Sequence, residues 1–268
     1  DSLNHAFHFS LAETYFELSK RSNANGKYPS LVQHHLTKAI QLHARNKKYY
    51  ALFGELMLAY AKYKEAIDYF NSSLKIEYNQ AKTHMLMGYA FKQLGQDDNA
   101  INCFRNSVNV DPEFKESFVQ LGQMFHLKGD TTAVLYYNNA LNIDPSDKMT
   151  LYNKALFYQS ISNWNAALEA YAVLHKVDPF HSSGHYNLGF IHMELGMYDV
   201  ASNNFSDAIY GNSEFFEAYY SRGNCFETLG NIAQAESDYK RAIEINPEYI
   251  FAMEALEQLQ LKNKKFNK

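Results

Sequence analysis

The sequence predicts an all-α fold, an α-solenoid of about seven helix-turn-helix units closed by a C-terminal capping helix. Three periodic signals carry that expectation. Glycines stand at 54, 88, 122, 189 and 223, on a 34-residue step once Ala155 is taken as the missing member after a one-residue deletion. A second set, Gly95, Gly129, Gly196 and Gly230, follows seven residues behind. Four of the five prolines, Pro112, Pro145, Pro179 and Pro247, lie 33, 34 and 68 residues apart.

Each signal has a physical task, taken in order along one unit. The first glycine, bare at the crossing point, lets two antiparallel helices approach closely. The second ends the first helix, where a left-handed residue is needed and glycine adopts it at least cost. Small residues in the second helix, Ala66, Ala100, Ala133, Ala167, Ala201 and Ala235, complete the approach. Aromatics one turn later cover the same face: Phe70, Phe104, Tyr137, Tyr171, Phe205 and Tyr239. Proline then stops the second helix and opens the next, because a first-turn residue has no helical use for its N–H.

These signals set the units at 47–80, 81–114, 115–147, 148–181, 182–215 and 216–249. A degenerate unit over about 5–46 precedes them. Its helices are marked by Leu11-Ala12-x-x-Tyr15 and Val32-x-x-x-Leu36-x-x-Ala39, with Ser19–Ser30 expected to form an enlarged polar loop. A capping helix is expected over 250–262 and a frayed lysine-rich tail over 263–268. Unit 148–181 departs most from the pattern: Lys154, Ala155, Leu174 and His175 all add bulk. Splayed helices and an irregular step, a hinge, are expected there.

The stretches Leu121-Gly122-x-x-Phe125, Leu188-Gly189-x-x-His192 and Ala235-x-x-x-Tyr239-x-x-Ala242-x-x-x-x-Pro247 resemble the signature of the tetratricopeptide-repeat (TPR) family. The resemblance covers nearly the whole chain. It implies a right-handed TPR superhelix forming one domain over 1–268, with a concave groove of first helices in which a partner's extended peptide or helix lies. The composition, rich in Asn, Tyr, Lys and Phe, resembles TPR proteins of bacteria with AT-rich genomes.

Stepping by the period along the first helices identifies the groove residues. One position gives Ala51, Met85, Val119, Tyr152, Tyr186 and Tyr220; the next gives Leu52, Leu86, Gln120, Asn153, Asn187 and Ser221. One turn on come Glu55, Tyr89, Gln123, Leu156, Phe190 and Asn224. The candidate peptide-binding residues are therefore Tyr152, Asn153, Tyr186, Asn187, Phe190, Tyr220, Asn224, Gln120, Gln123 and Tyr89. Amides in a row can pair with any extended backbone, and tyrosines add apolar area at low entropy cost. The alternative is that some tyrosines pack between repeats. The polar ladder is similar to the asparagine-lined superhelix of O-linked N-acetylglucosamine transferases, of which only the peptide grip carries over. Glu194, Glu217 and Glu227 share this face, with Lys48, Lys82 and Lys92 toward the N-terminal units, so a basic end of the ligand is expected over the C-terminal half.

Other chemistry is weighed and set aside. The carboxylate clamp of TPR chaperone co-factors needs cations in its third unit; here Tyr152 and Leu156, Asn187, then Glu217 and Ser221 stand in its places, and only Asn187 fits. His181-x-x-x-His185 with His192 is the best metal candidate, but the three do not share a helical face and no metal is expected. No P-loop, nucleophile elbow or dinucleotide fingerprint is present, and no catalysis or cofactor is expected. A net charge of −4 with mixed signs argues against nucleic acid. No apolar run approaches the ~20 residues that cross a bilayer, so no membrane insertion is expected. Cys103 and Cys225 read as core residues. The chain opens at Asp1 without a charged leader or apolar signal core, which leads to the expectation of a processed or truncated N-terminus. The compartment stays open between cytoplasm and bacterial envelope. The expected function is a non-catalytic scaffold for a protein or peptide partner. The alternatives are a self-associating assembly module and the TPR part of a larger protein whose effector domain is absent.

Overall fold

The computed structural model describes residues 2–21 and 27–266. Among the described residues every regular element is an α-helix: α1 Ser2–Arg21, α2 Lys27–Leu42, α3 Lys47–Ala59, α4 Tyr63–Ile76, α5 Ala81–Gln93, α6 Asp97–Val110, α7 Lys115–Leu127, α8 Thr132–Ile143, α9 Lys148–Ser160, α10 Trp164–Val177, α11 Ser182–Glu194, α12 Tyr198–Gly211, α13 Phe216–Thr228, α14 Ile232–Ile245 and α15 Ile250–Phe266. They fall into two compact units, Asp1–Ile143 with α1–α8 and Asp144–Lys268 with α9–α15.

Within each unit the helices pair as the glycine pattern requires. A methyl group added at Gly88 would come within 2.7 Å of the Phe104 ring, and one added at Gly189 or Gly223 within 2.6 Å of Phe205 or Tyr239. Those rings are fully buried, as are Phe70, Tyr137 and Tyr171. The residue without a side chain and the ring sixteen positions later thus make one contact. Such rings each remove roughly 150–250 Å² from water, which gives helices of modest intrinsic stability their reason to pair.

First helices end in a left-handed turn. Gly95, Gly129, Gly196 and Gly230 have φ of 69°, 65°, 74° and 81°. At Gly95 the amide reaches Lys92 O at 3.0 Å and the next amide, Gln96, reaches Phe91 O at 2.9 Å, which satisfies two carbonyls that the helix leaves open. Ala61 and Ser162 hold the same conformation, φ 55° and 54°, in the two units that lack this glycine.

Three expectations are corrected. The loop drawn over Ser19–Ser30 is shorter, because α1 continues to Arg21 and α2 begins at Lys27. Ser19 Oγ donates to Phe16 O at 2.6 Å, so this serine extends the last turn, and Pro29 sits in the first turn of α2, where its missing N–H costs nothing. Residues 22–26 of that loop lie outside the described residues. The cap α15 runs to Phe266, with Lys262 Nζ bonded to Glu227 Oε1 at 2.7 Å, so the residues taken for a frayed tail extend the helix; 267 and 268 lie outside the described residues.

The third correction concerns the splaying expected in unit 148–181. Ala155, Tyr171 and Leu174 are fully buried and Tyr171 Oη donates to Gln159 Oε1 at 2.8 Å, so α9 and α10 close like the other pairs. The extra bulk of Leu174 is offset in the next repeat, by Gly184: a methyl there would lie 3.1 Å from Leu174 Cδ2. The corresponding positions in another junction are Ser107 and Ser117, joined by a 2.7 Å hydrogen bond. A small polar pair is exchanged for a large residue facing none.

Candidate functional site

In the C-terminal unit the three predicted groove tyrosines are half-buried and follow one rule. Each rests on the second-helix aromatic of its own repeat: Tyr152 on Tyr171 at 6.3 Å between ring centroids, Tyr186 on Phe205 at 5.5 Å, Tyr220 on Tyr239 at 6.0 Å. Each also rests on the residue that opens the next first helix: His181 at 5.0 Å, Phe215 at 4.9 Å and Tyr249 at 5.4 Å. The column is therefore a series of ring clusters, one per repeat, and Phe251 joins the last of them 6.5 Å from Tyr220. Each tyrosine is half-buried: part of its ring packs between repeats and the remainder is accessible.

The amides are more committed than their pattern suggests. Asn187 Nδ2 donates to Tyr152 Oη at 3.1 Å, back across one repeat, and the same amide reaches the Tyr171 hydroxyl. Tyr239 Oη lies 2.8 Å from Asn224 Oδ1 and 2.9 Å from Glu227 Oε2, sharing one proton between them. Burial, and then the Glu227 carboxylate, push the Tyr239 phenol well above its ordinary range. Asn153 differs: its Nδ2 is buried without a hydrogen-bond partner among the described residues. Phe190 is half-buried and has no ring partner among the described residues.

The N-terminal unit holds the remaining three candidates. Gln120 is only 8% exposed and accepts from Lys92 Nζ at 3.2 Å. It also bonds the phenol of Tyr89, whose ring meets Phe104 edge-on at 5.7 Å. Burial lowers the proton affinity of Lys92 and raises that of Tyr89. Gln120 reaches back to the preceding first helix just as Asn187 does, so an amide at this position stitches neighbouring repeats in both units. Gln123 is half-buried. The charges noted on this face are partly spent: Glu227 holds Lys262 at 2.7 Å and Lys82 holds Glu55 at 2.7 Å.

Two features escaped the sequence. In the N-terminal unit, Phe9, Phe16 and Leu52 line the apolar part of a cavity of about 390 Å³ whose rim carries Lys20, Lys48 and Glu13. The period that located the other groove residues fails on the degenerate first unit, so Phe9 and Phe16 had no register to betray them. In the C-terminal unit Arg222 binds Asp238 through two 2.8 Å bonds, from Nε and Nη2, while Nη1 donates to Ser206 Oγ at 3.0 Å. Its guanidinium lies over Tyr219 and Phe226, at 5.5 and 5.7 Å. In the first regular repeat the same two positions hold Phe53 and Tyr69, stacked at 4.1 Å. Opposite charges on facing helices were the available signal.

The metal candidate does not assemble as a ligand set. His192 Nδ1 lies 2.9 Å from Leu188 O, and Asn204 Nδ2 lies 3.3 Å from it, while His181 and His185 sit at the other end of α11. Among the described residues no three metal-binding side chains converge. No described helix is long and apolar enough to cross a membrane. Burial pushes the thiols of Cys103 and Cys225 up to about 12 and about 11, which leaves neither as a ready nucleophile.

Comparison with known proteins places this architecture. The tetratricopeptide-repeat profiles match residues 81–114 and 216–249. Human tetratricopeptide repeat protein 6 is 22% identical over 209 residues, covering 75% of this chain and 40% of that protein. A TPR repeat-containing protein of Methanocaldococcus jannaschii is 21% identical over 265 residues, covering 91% of this chain and 46% of its own length. The chain thus spans less than half the length of the curated relatives it matches. Among solved structures, the C-terminal part of a TPR repeat-containing protein from Cytophaga hutchinsonii superposes with a TM-score of 0.78 at 15% identity, over 92% of this chain and 99% of that one. That likeness bears on the fold alone. With its 34-residue period, its glycine-and-ring helix pairs and these matches, the chain carries tetratricopeptide repeats at 81–114 and 216–249 in a tetratricopeptide-repeat fold, and proteins of that kind generally mediate protein–protein interaction or assembly.

Proposed function

We propose that this chain is a non-catalytic scaffold that holds an extended peptide or a helix of a partner protein along its first helices, with Tyr152, Tyr186 and Tyr220 as the contact column. The observation that supports this most is the aromatic cluster of the C-terminal unit, half-buried and renewed once per repeat. A rigid aromatic column gives a partner apolar area without first having to be ordered. Asn153 Nδ2, buried and without a hydrogen-bond partner among the described residues, gains one if the side chain turns outward to a partner's backbone carbonyl. Asn187, Asn224 and Gln120 contribute by exchanging their present bonds. Glu217, half-buried, and Glu194, exposed, place negative charge beside the column and favour a partner with a basic end.

Selection of a random peptide library on the immobilised protein tests the reading. Peptides selected by the wild type should lose about tenfold or more in affinity for Phe190→Ala, and a similar factor for Glu217→Lys when they carry a basic end. Phe190 has no ring partner, which keeps a loss of binding distinct from a loss of folding. Unchanged affinity in both variants sinks the groove assignment.

A second reading, self-association, is favoured by α15, where Ile250 and Phe251 are 60% and 61% exposed. Light scattering over a concentration series separates the two, since a strict monomer removes this second reading.

A further inference from the structure

Three imidazoles crowd the start of α11. His175, in the last turn of α10, stacks on His185 with ring centroids 3.7 Å apart and planes 11° from parallel. His181 caps α11: its Nδ1 accepts the Gly184 amide at 3.0 Å. A methyl group at Gly184 would lie 3.0 Å from His175 Nε2 and 3.1 Å from His181 Nδ1 and Leu174 Cδ2, so two of the three rings close on one bare position.

The hydrogen bonds fix where protons sit. His185 Nε2 lies 2.8 Å from Pro179 O, an acceptor only, so this nitrogen carries the hydrogen and Nδ1 is bare. His181 Nδ1 accepts from an amide and is likewise bare. His175 Nε2 and His185 Nδ1 are buried with no hydrogen-bond partner among the described residues. Stacked parallel rings cannot aim their in-plane lone pairs at one ion, so the arrangement does not chelate.

Burial, ring stacking and the start of α11 oppose added protons, although the C-terminal end of α10 favours one on His175. His181 and His185 lie at the N-terminal end of a helix, where the macrodipole is positive and repels cations. Protonated His181 loses its capping role, and two charged rings 3.7 Å apart repel each other. Counter-charge is scarce. Asp178, which ends α10, is held by Lys148 of α9 at 3.0 Å. Asp207 of α12 is 3.9 Å from His185 Nδ1 and 63% exposed. The phenol ring of Tyr152 meets His181 at 5.0 Å, and Lys176 follows His175 in the last turn of α10. Burial, then His185 and His181, lower His175 to about 4, with Asp178 acting weakly the other way.

The groove column runs through the same place. Tyr152 rests on His181 and receives the Asn187 amide, and both contacts span this junction between repeats.

We propose that His175, His181 and His185 form an acid-operated joint between repeats 148–181 and 182–215, closed while the three rings are neutral and opened by protonation, so that the groove at Tyr152 and Asn187 loosens as pH falls. The groove consequence rests on the function proposed above; the joint itself does not. Released from the junction, His175 takes a proton near the ordinary histidine value of about 6.5, while in the closed junction burial holds it neutral down to about 4. Between those limits the open state binds more protons, so closure strengthens as pH rises and weakens as it falls.

Hydrogen–deuterium exchange on the full chain tests this without any ligand. From about pH 7.5 to about pH 5, and after correction for intrinsic exchange, protection at the α10–α11 junction should fall about tenfold or more relative to α13–α14, which contain no histidine. His175→Phe keeps a stacked ring, removes no hydrogen bond and should flatten that response. An equal fall in this variant, or no fall in the wild type, overturns the joint. If the variant does not fold, the imidazole resonances of the wild type decide: a His175 titrating near its ordinary value overturns it as well. Loss of the pH response with peptide binding intact at neutral pH would leave the groove standing and remove only its regulation. The reverse pattern would remove the groove and leave the joint.

Discussion

Asp238→Ala should be among the most damaging single substitutions in the C-terminal unit. The Arg222–Asp238 pair is 19% and 7% exposed at its two side chains, so the carboxylate neutralises a guanidinium with little access to water. Breaking such a pair from one side costs about 3–5 kcal/mol. Arg222 keeps Ser206 Oγ and two aromatic faces, which recover part of this, so a loss of about 2–3 kcal/mol is expected. Replacing both partners removes the stranded charge. The preceding repeat carries Leu188 and Asn204 at these positions, and Arg222→Leu with Asp238→Asn should stay within about 1 kcal/mol of the wild type. Repeat arrays need not unfold as one unit, so the assay is local: exchange protection across α12–α14 beside the urea midpoint. A loss below about 1 kcal/mol for Asp238→Ala, or a double variant no better than the single, would refute the reasoning.

Two further outcomes are open to the same measurements. Gly184→Ala pushes a methyl to 3.0–3.1 Å from His175, His181 and Leu174, and should destabilise by about 1–2 kcal/mol once the better helix propensity of alanine is counted. Adding Leu174→Ala should then cost less than it does alone, and a strictly additive cycle would show that the two positions do not share space. Ser162→Gly and Ala61→Gly relieve left-handed residues that carry a Cβ, and each should stabilise its unit by about 1 kcal/mol; a neutral or negative result would show that these turns carry no strain.

Periodic features were legible from sequence because the same physics repeats. Gly88 and Phe104, or Gly223 and Tyr239, sit sixteen residues apart whatever surrounds them, and the period exposes both. Features that break the period were not legible. Leu174 reads as misplaced bulk until Gly184, ten residues later in another repeat, is seen beneath it. Arg222 and Asp238 stand where the first regular repeat has Phe53 and Tyr69, and the period alone does not say that an ion pair takes the place of two stacked rings. The groove lay between these cases. The tyrosine column follows from the step, but the partners of Asn187 and Gln120 depend on which hydroxyl or ammonium the preceding repeat supplies.

The exchange of bulk between Leu174 and Gly184 also bears on how such a chain can change length. Repeat arrays grow and shrink by whole-unit duplication or loss, which is harmless where every junction carries the same pair. Excising 182–215 here would set Leu174 against Ala218, and duplicating it would set Ala208 against a second Gly184. The first join is overfilled and the second leaves a void. Unit 148–181 and its successor are keyed to each other, and we expect them to be inherited, moved or deleted together.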